Sequence, residues 1–236
     1  MHISFKSFPL KRIFVTAFVL LLCVISNQLW AHGVDEGTQT FLQGNKGVNF
    51  VPFLYIGAKH MITGYDHLLF LVGVIFFLYR PKEVITYVSF FTIGHSTTLL
   101  LGVLANMSIN SYLIDAIIAL SIVYKGFDNL GGFKQFFGKQ PNTKAAVLIF
   151  GLFHGFGLAS KLQELSLGAD GLLVNLIGFN IGVEIGQFIA LVIVLFVISQ
   201  WRKQASFMRF STLTNTLLMI AGVALIGYQL AGYFLK

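Results

Sequence analysis

From residue 60 to residue 235 the chain alternates long apolar runs with short polar connections, the runs falling at about 60–79, 84–104, 112–130, 145–160, 172–199 and 213–235. Each is close to the ~20 residues that a helix needs to cross the hydrocarbon of a bilayer. The fourth looks short and is expected to extend at one end. In lipid every backbone polar group has to be satisfied within the segment, so the pattern predicts an all-α, polytopic bundle of six transmembrane helices. Residues 33–49 are polar and glycine-containing and read as an exposed segment. Ahead of them Lys6, Lys11 and Arg12 precede a short apolar stretch at 13–25 and then Leu29-Trp30-Ala31. A basic start, a short apolar middle and a small residue at the cut describe a secretory signal, with cleavage expected after Ala31. On that reading residues 1–31 are removed and 32–236 form a single transmembrane domain. His32 would then be the new amino terminus, where an α-amine and an imidazole together can chelate a metal ion.

Composition strengthens this picture. Hydrophobic residues make up 56% of the chain and charged residues 11%, against about 25% charged in an average soluble domain. The formal charge of +7 does not point to nucleic acid, because the basic residues lie between apolar runs and form no patch interleaved with aromatics. Their distribution sets an orientation instead. With the mature amino terminus outside, the inner connections hold Arg80, Lys82, Lys125, Lys134, Lys139, Lys144, Arg202, Lys203 and Arg209, and the outer ones only Lys46, Lys59, Lys161 and Lys236. Both termini are then on the outer side of a bacterial-type inner membrane. The single cysteine, Cys23, allows no disulfide within the chain and no thiolate metal site.

Glycine adds a packing signal. Gly178, Gly182 and Gly186 recur every four residues in the fifth run, and Gly151 with Gly155 repeats the spacing in the fourth. Such stripes let helix backbones approach closely, and tight packing is what a helix pair in a lipid solvent relies on.

The polar groups inside these runs carry the chemistry. Ionisable side chains within a membrane are costly and mark functional sites. Here they are His60, Asp66, His67, His95, Asp115, His154 and Glu184. His60 and His67 are seven residues apart and share a face if their helix is continuous, with Gly64 positioned to bend it. Asp66 is either a ligand or a group that orients a ligand on a neighbouring helix. Asn180, Glu184 and Gln187 form a polar stripe on the fifth helix. On the orientation above, His60 and Asp115 start their helices at the outer side, and the remaining groups share the outer half of the bilayer. Asp66, His67, His95, His154 and Glu184 are the expected metal site. His60, Asp115, Asn180, Gln187 and His32 are secondary candidates. Neutral imidazoles with carboxylates suit divalent nickel, zinc, cobalt or copper.

Five blocks in order now resemble the HupE/UreJ family of membrane proteins: His60-Met61-Ile62-Thr63-Gly64-Tyr65-Asp66-His67-Leu68-Leu69-Phe70; Phe91-Thr92-Ile93-Gly94-His95-Ser96; Ile117-Ile118-Ala119-Leu120-Ser121; Phe153-His154-Gly155-Phe156-Gly157-Leu158-Ala159-Ser160; and Phe179-Asn180-Ile181-Gly182-Val183-Glu184-Ile185-Gly186-Gln187. They span most of residues 55–190. The resemblance implies transition-metal permeation, with nickel the usual substrate for members linked to hydrogenase and urease. It also implies that His60, Asp66, His67, His95, His154 and Glu184 occupy family motif positions.

The expected function is an inner-membrane permease for a divalent transition metal, nickel first, taken from the outer side. Its partners are the metal ion, the lipid bilayer and a second copy of the chain in a homo-oligomer. No phosphate-binding Gly-x4-Gly-Lys-Ser/Thr loop is present, so the sequence carries no ATPase of that kind. Two other classes share the same ligands. One is an intramembrane zinc hydrolase, with Ser96 or Ser160 near the metal. The other is an accessory subunit for metalloenzyme maturation that uses its polar face to hold a partner.

Overall fold

The structure, a computed structural model, describes residues 47–107, 109–164 and 170–235. The signal reading, its cut after Ala31 and the chelating role of His32 lie outside these residues. Among the described residues there are eight α-helices and no strand: α1 (Phe50–Thr63), α2 (Tyr65–Ile75), α3 (Pro81–Leu104), α4 (Ser111–Asn129), α5 (Gly132–Phe137), α6 (Thr143–Glu164), α7 (Leu172–Arg202) and α8 (Ser206–Phe234). Four of them, α3, α6, α7 and α8, are long and apolar enough to cross a membrane.

The first apolar run differs most from expectation. It does not begin at 60 as one continuous helix. The chain is helical from Phe50, with Pro52 tolerated in the first turn where its missing N–H has no partner to lose. It breaks at Gly64, whose ψ of 102° leaves the helical region, and resumes at Tyr65. The Gly64 N–H still bonds to the His60 carbonyl at 2.9 Å, and the Gly64 carbonyl accepts from the Leu68 N–H at 3.1 Å, so the break falls within a single residue. α5 is a short helix inside what reads as a loop in the sequence. α6 extends at both ends, taking Lys161 out of the connection in which its charge was counted. Lys125 likewise sits inside α4, buried.

The helices associate in pairs through the glycine stripes. Gly178, Gly182 and Gly186 of α7 lie against Phe50, Leu54 and Ala58 of α1, so closely that a Cβ at Gly182 would collide with the Leu54 carbonyl. The residue numbers rise together, so α1 and α7 run parallel. In the same way Gly94 of α3 and Gly151 of α6 face each other's backbone, and Thr98 Oγ1 donates to the Leu152 carbonyl at 2.7 Å. α4 and α8 run antiparallel, with Gly222 against Ala119 and Val123 and Gly126 against Asn215 and Met219. At the far end of α2 the Arg202 guanidinium of α7 donates to the carbonyls of Ile75, Phe76 and Leu78 and lies over the Tyr79 ring. α2 stops at Ile75, so Arg202 both caps α2 and ties it to the end of α7.

Candidate metal centre

The break at Gly64 makes the site. It starts α2 at Tyr65 and thereby sets Asp66 and His67 in a first helical turn in the middle of the bundle. Asp66 Oδ1 accepts from the His67 backbone N–H at 2.9 Å and from the His67 imidazole Nδ1 at 3.0 Å. With its proton on Nδ1, His67 carries its lone pair on Nε2, and that atom is buried with no hydrogen-bond partner. A carboxylate holding the rear nitrogen of an imidazole is the usual way in which a metal-binding histidine is oriented.

His154 comes from α6. Its Nε2 lies 3.4 Å from Ser121 Oγ of α4, whose own proton goes to the Ile118 carbonyl at 2.6 Å. The imidazole therefore donates from Nε2 and keeps its lone pair on Nδ1, which is also buried and unpartnered. The potential ligand atoms of Asp66, His67 and His154 all lie within 4.8 Å of one another. Two further imidazoles adjoin them. His60, in the last turn of α1, has its ring centroid 5.2 Å from that of His67, and His95 of α3 lies 6.1 Å from His67, against 4.8 Å for His154. His60 Nε2 and both ring nitrogens of His95 are buried without partners. Unpaired buried polar atoms carry a desolvation cost, and five such imidazole nitrogens in one place call for a ligand that none of the surrounding side chains supplies.

The shell around these groups is apolar and aromatic. Phe91 lies 5.0 Å from His154 and 6.0 Å from His95, Phe70 lies 5.5 Å from His154, and Phe179 lies 6.3 Å from His60. A small cavity adjoins His67 and runs between Met61, Phe91, Tyr87, Val147 and Gln187 toward the end where α3 and α6 begin. Gln187 is buried and its Oε1 accepts from Thr92 Oγ1 at 2.9 Å.

Of the residues expected at the site, Asp66, His67 and His154 are gathered tightly and His95 and His60 border them. Glu184 does not join them. It lies on the exposed side of α7, with Asn180 Nδ2 3.5 Å from its Oε1. The expected stripe of Asn180, Glu184 and Gln187 is split, because Gln187 turns inward toward α3 while Glu184 turns outward. Asp115 is buried in α4 but engaged by Lys161 and Gln229, not by histidine. It does not cap its helix, since the Asn110 side chain accepts from the N–H groups of Tyr112 and Leu113. His60 ends α1 and does not start the helix at the surface. Sequence reasoning missed Ser121 and Lys161. Lys161 follows His154 by seven residues and therefore shares its face, a signal that the early end drawn for this helix concealed.

The whole bundle and its buried histidines correspond to one stretch of sequence in the family comparison. Residues 36–236 match the family described as HupE / UreJ protein. The chain belongs to the HupE/UreJ family. Membership makes it a metal-related, multi-pass membrane protein and agrees with the five blocks read from the sequence. Searches of curated proteins and of solved structures returned no match.

Proposed function

We propose that this HupE/UreJ member is a permease for a divalent transition metal, nickel first, whose binding site is built on Asp66, His67 and His154 with His60 and His95 beside them. The observation that carries the reading is that potential ligand atoms of Asp66, His67 and His154 lie within 4.8 Å of one another, in a cluster where each histidine has a buried ring nitrogen without a hydrogen-bond partner. Imidazole nitrogen with one carboxylate is the donor set that favours nickel, zinc, cobalt or copper over magnesium or calcium. Asp66 orients His67, Ser121 orients His154, and neither histidine has to turn before taking a cation. The aromatic shell keeps water from competing for it.

Six passes follow if α1 with α2 counts as one broken crossing and α4, with its buried charges, as another. A discontinuous helix at mid-membrane is a recurrent way for a transporter to expose binding groups in lipid. With Lys125 and Lys161 inside helices, the basic residues at one end of the bundle are Arg80, Lys82, Lys134, Lys139, Lys144, Arg202, Lys203 and Arg209. That bias supports an inner side there, with the amino and carboxyl termini outside. The small cavity beside His67, which reaches Tyr87 and Gln187, lies toward the same inner end. The hydrolase reading has less support. Glu184, the second carboxylate that could serve a metal-activated water, lies on the exposed side of α7 away from the histidines.

The test is uptake of nickel into proteoliposomes holding the purified full chain. Wild type should load the vesicles, and His154→Ala should reduce the rate by about 100-fold, at least as much as the loss of a partner that orients a metal ligand. No uptake by the wild type would refute the permease reading, and equal uptake by the two proteins would refute the site.

A further inference from the structure

Two turns along α6 from His154, on the same face, stands Lys161. Its ammonium crosses to α4 and bonds both oxygens of Asp115, at 3.1 Å from Oδ1 and 2.9 Å from Oδ2. Gln229 of α8 donates to the same carboxylate at 3.4 Å, so three helices meet there. Between this pair and His154 the seam is closed at Gly157, which lies against Ile114, Ile118 and Asp115. The Lys161 side chain is 22% exposed and that of Asp115 10%, while His154 is 1% exposed. The ion pair is thus more exposed than His67, His95 and His154.

A buried ion pair gives little net stability, because desolvating two charges offsets most of their attraction. A fixed ammonium in this position has a second effect. Any cation approaching the histidines along the seam meets a like charge in a medium that screens it poorly. The same cation meets, in Asp115, a carboxylate already built to hold positive charge. Lys161 is the component that can leave, since its ammonium is a compact charge on a flexible four-carbon stem that can reach toward the exposed end.

We propose that Asp115 is a second cation seat on the way to the histidine cluster, filled in the resting protein by the Lys161 ammonium, which an incoming divalent metal ion displaces. The proposal rests on the permease reading and adds to it a control point: Lys161 sets how fast a metal ion reaches the cluster. It also predicts opposite consequences for the two halves of one ion pair. Removing the lysine opens the seat. Removing the carboxylate abolishes the seat and leaves the ammonium in place. A purely structural pair would respond in the same direction to the loss of either partner.

The experiment is stopped-flow binding of Co²⁺ to the purified full-length protein, followed by the visible absorption of imidazole-ligated cobalt. Folding of each variant is checked by gel filtration and thermal melting. Lys161→Met is expected to raise the association rate by about tenfold or more and Asp115→Asn to lower it by about as much, the range over which local charge moves on-rates. Where the Met variant does not fold, Lys161→Gln keeps a hydrogen bond to Asp115 without the charge and is expected to shift the rate upward as well. Changes of the same sign in both positions, or unchanged rates in folded variants, overturn the seat and leave the cluster standing. Absence of Co²⁺ binding by the wild type overturns the permease reading and the seat with it.

Discussion

At the scale of single residues, the centre depends on two imidazoles whose rear nitrogens are occupied and whose front nitrogens are free. Asp66 fixes His67 and Ser121 fixes His154. The two partners differ in kind, since Asp66 also supplies charge. Asp66→Asn is therefore expected to weaken Ni²⁺ binding by about 10- to 100-fold, as loss of an orienting carboxylate does elsewhere. Ser121→Ala leaves the ring in place by packing and should cost less. Isothermal titration of both variants checks the order, and a larger loss for Ser121→Ala would contradict it. Protons compete with metal for the same lone pairs, so affinity should fall as pH is lowered and recover when it is raised. An affinity independent of pH on the acid side would mean that imidazole is not a ligand. The histidines and Asp66 were legible in the sequence because an ionisable group inside an apolar run is conspicuous. Their grouping was only partly so. Glu184 sits in such a run as plainly as His154 does, and the rotation of α7 that turns it outward is set by packing against α1, which no local pattern reports. Lys161 and Asp115 were each visible, but as a loop charge and a group at the start of a helix, because two residues 46 positions apart reveal a bond only once their helices are paired.

At the scale of elements, the decisive features are the glycine stripes and the break at Gly64. The stripes were readable from spacing alone, and α1 against α7 and α3 against α6 use them as expected. Gly182→Leu has to push α1 away from α7, since even a Cβ meets the Leu54 carbonyl. It is expected to destabilise the protein by about 1–3 kcal/mol or more, as overpacking does. Gly182→Ala should be milder. Thermal melting in detergent checks this, and a normal profile for the Leu variant would place the stripe against lipid. At Gly64 a Cβ would approach His67 Nδ1 to 2.8 Å and the His60 carbonyl to 3.0 Å. Gly64→Ala should therefore leave the fold intact and impair metal binding, a separation that melting and titration together can read. The break itself was foreseen only as a bend. The early start of α1 was not foreseen, because Pro52, Gly57 and Lys59 dilute the apolar signal from 50 to 59. α5 escaped for a different reason, since six residues are too few to show a period.

At the scale of the whole molecule, the histidines lie between two differently charged ends. The Asp115–Lys161 pair stands toward one end. The Lys125–Asp128 pair, with nitrogen and oxygen 2.5 Å apart and a further hydrogen bond from Gln140, stands toward the other. The orientation expected from the basic residues can be read directly. In a protein with Cys23 replaced by Ser, a cysteine at Lys139 should be protected from an impermeant reagent added outside and a cysteine at Asp170 should react. The reverse labelling would invert the bundle. The central claim, however, is that the buried imidazoles form one metal site, and equilibrium titration with Ni²⁺ tests it most directly. The wild-type chain should bind one ion at the cluster, and His67→Ala and His154→Ala, each shown to be folded, should both lose that binding. Undiminished affinity in the two folded variants would contradict the account and leave these histidines as packing residues.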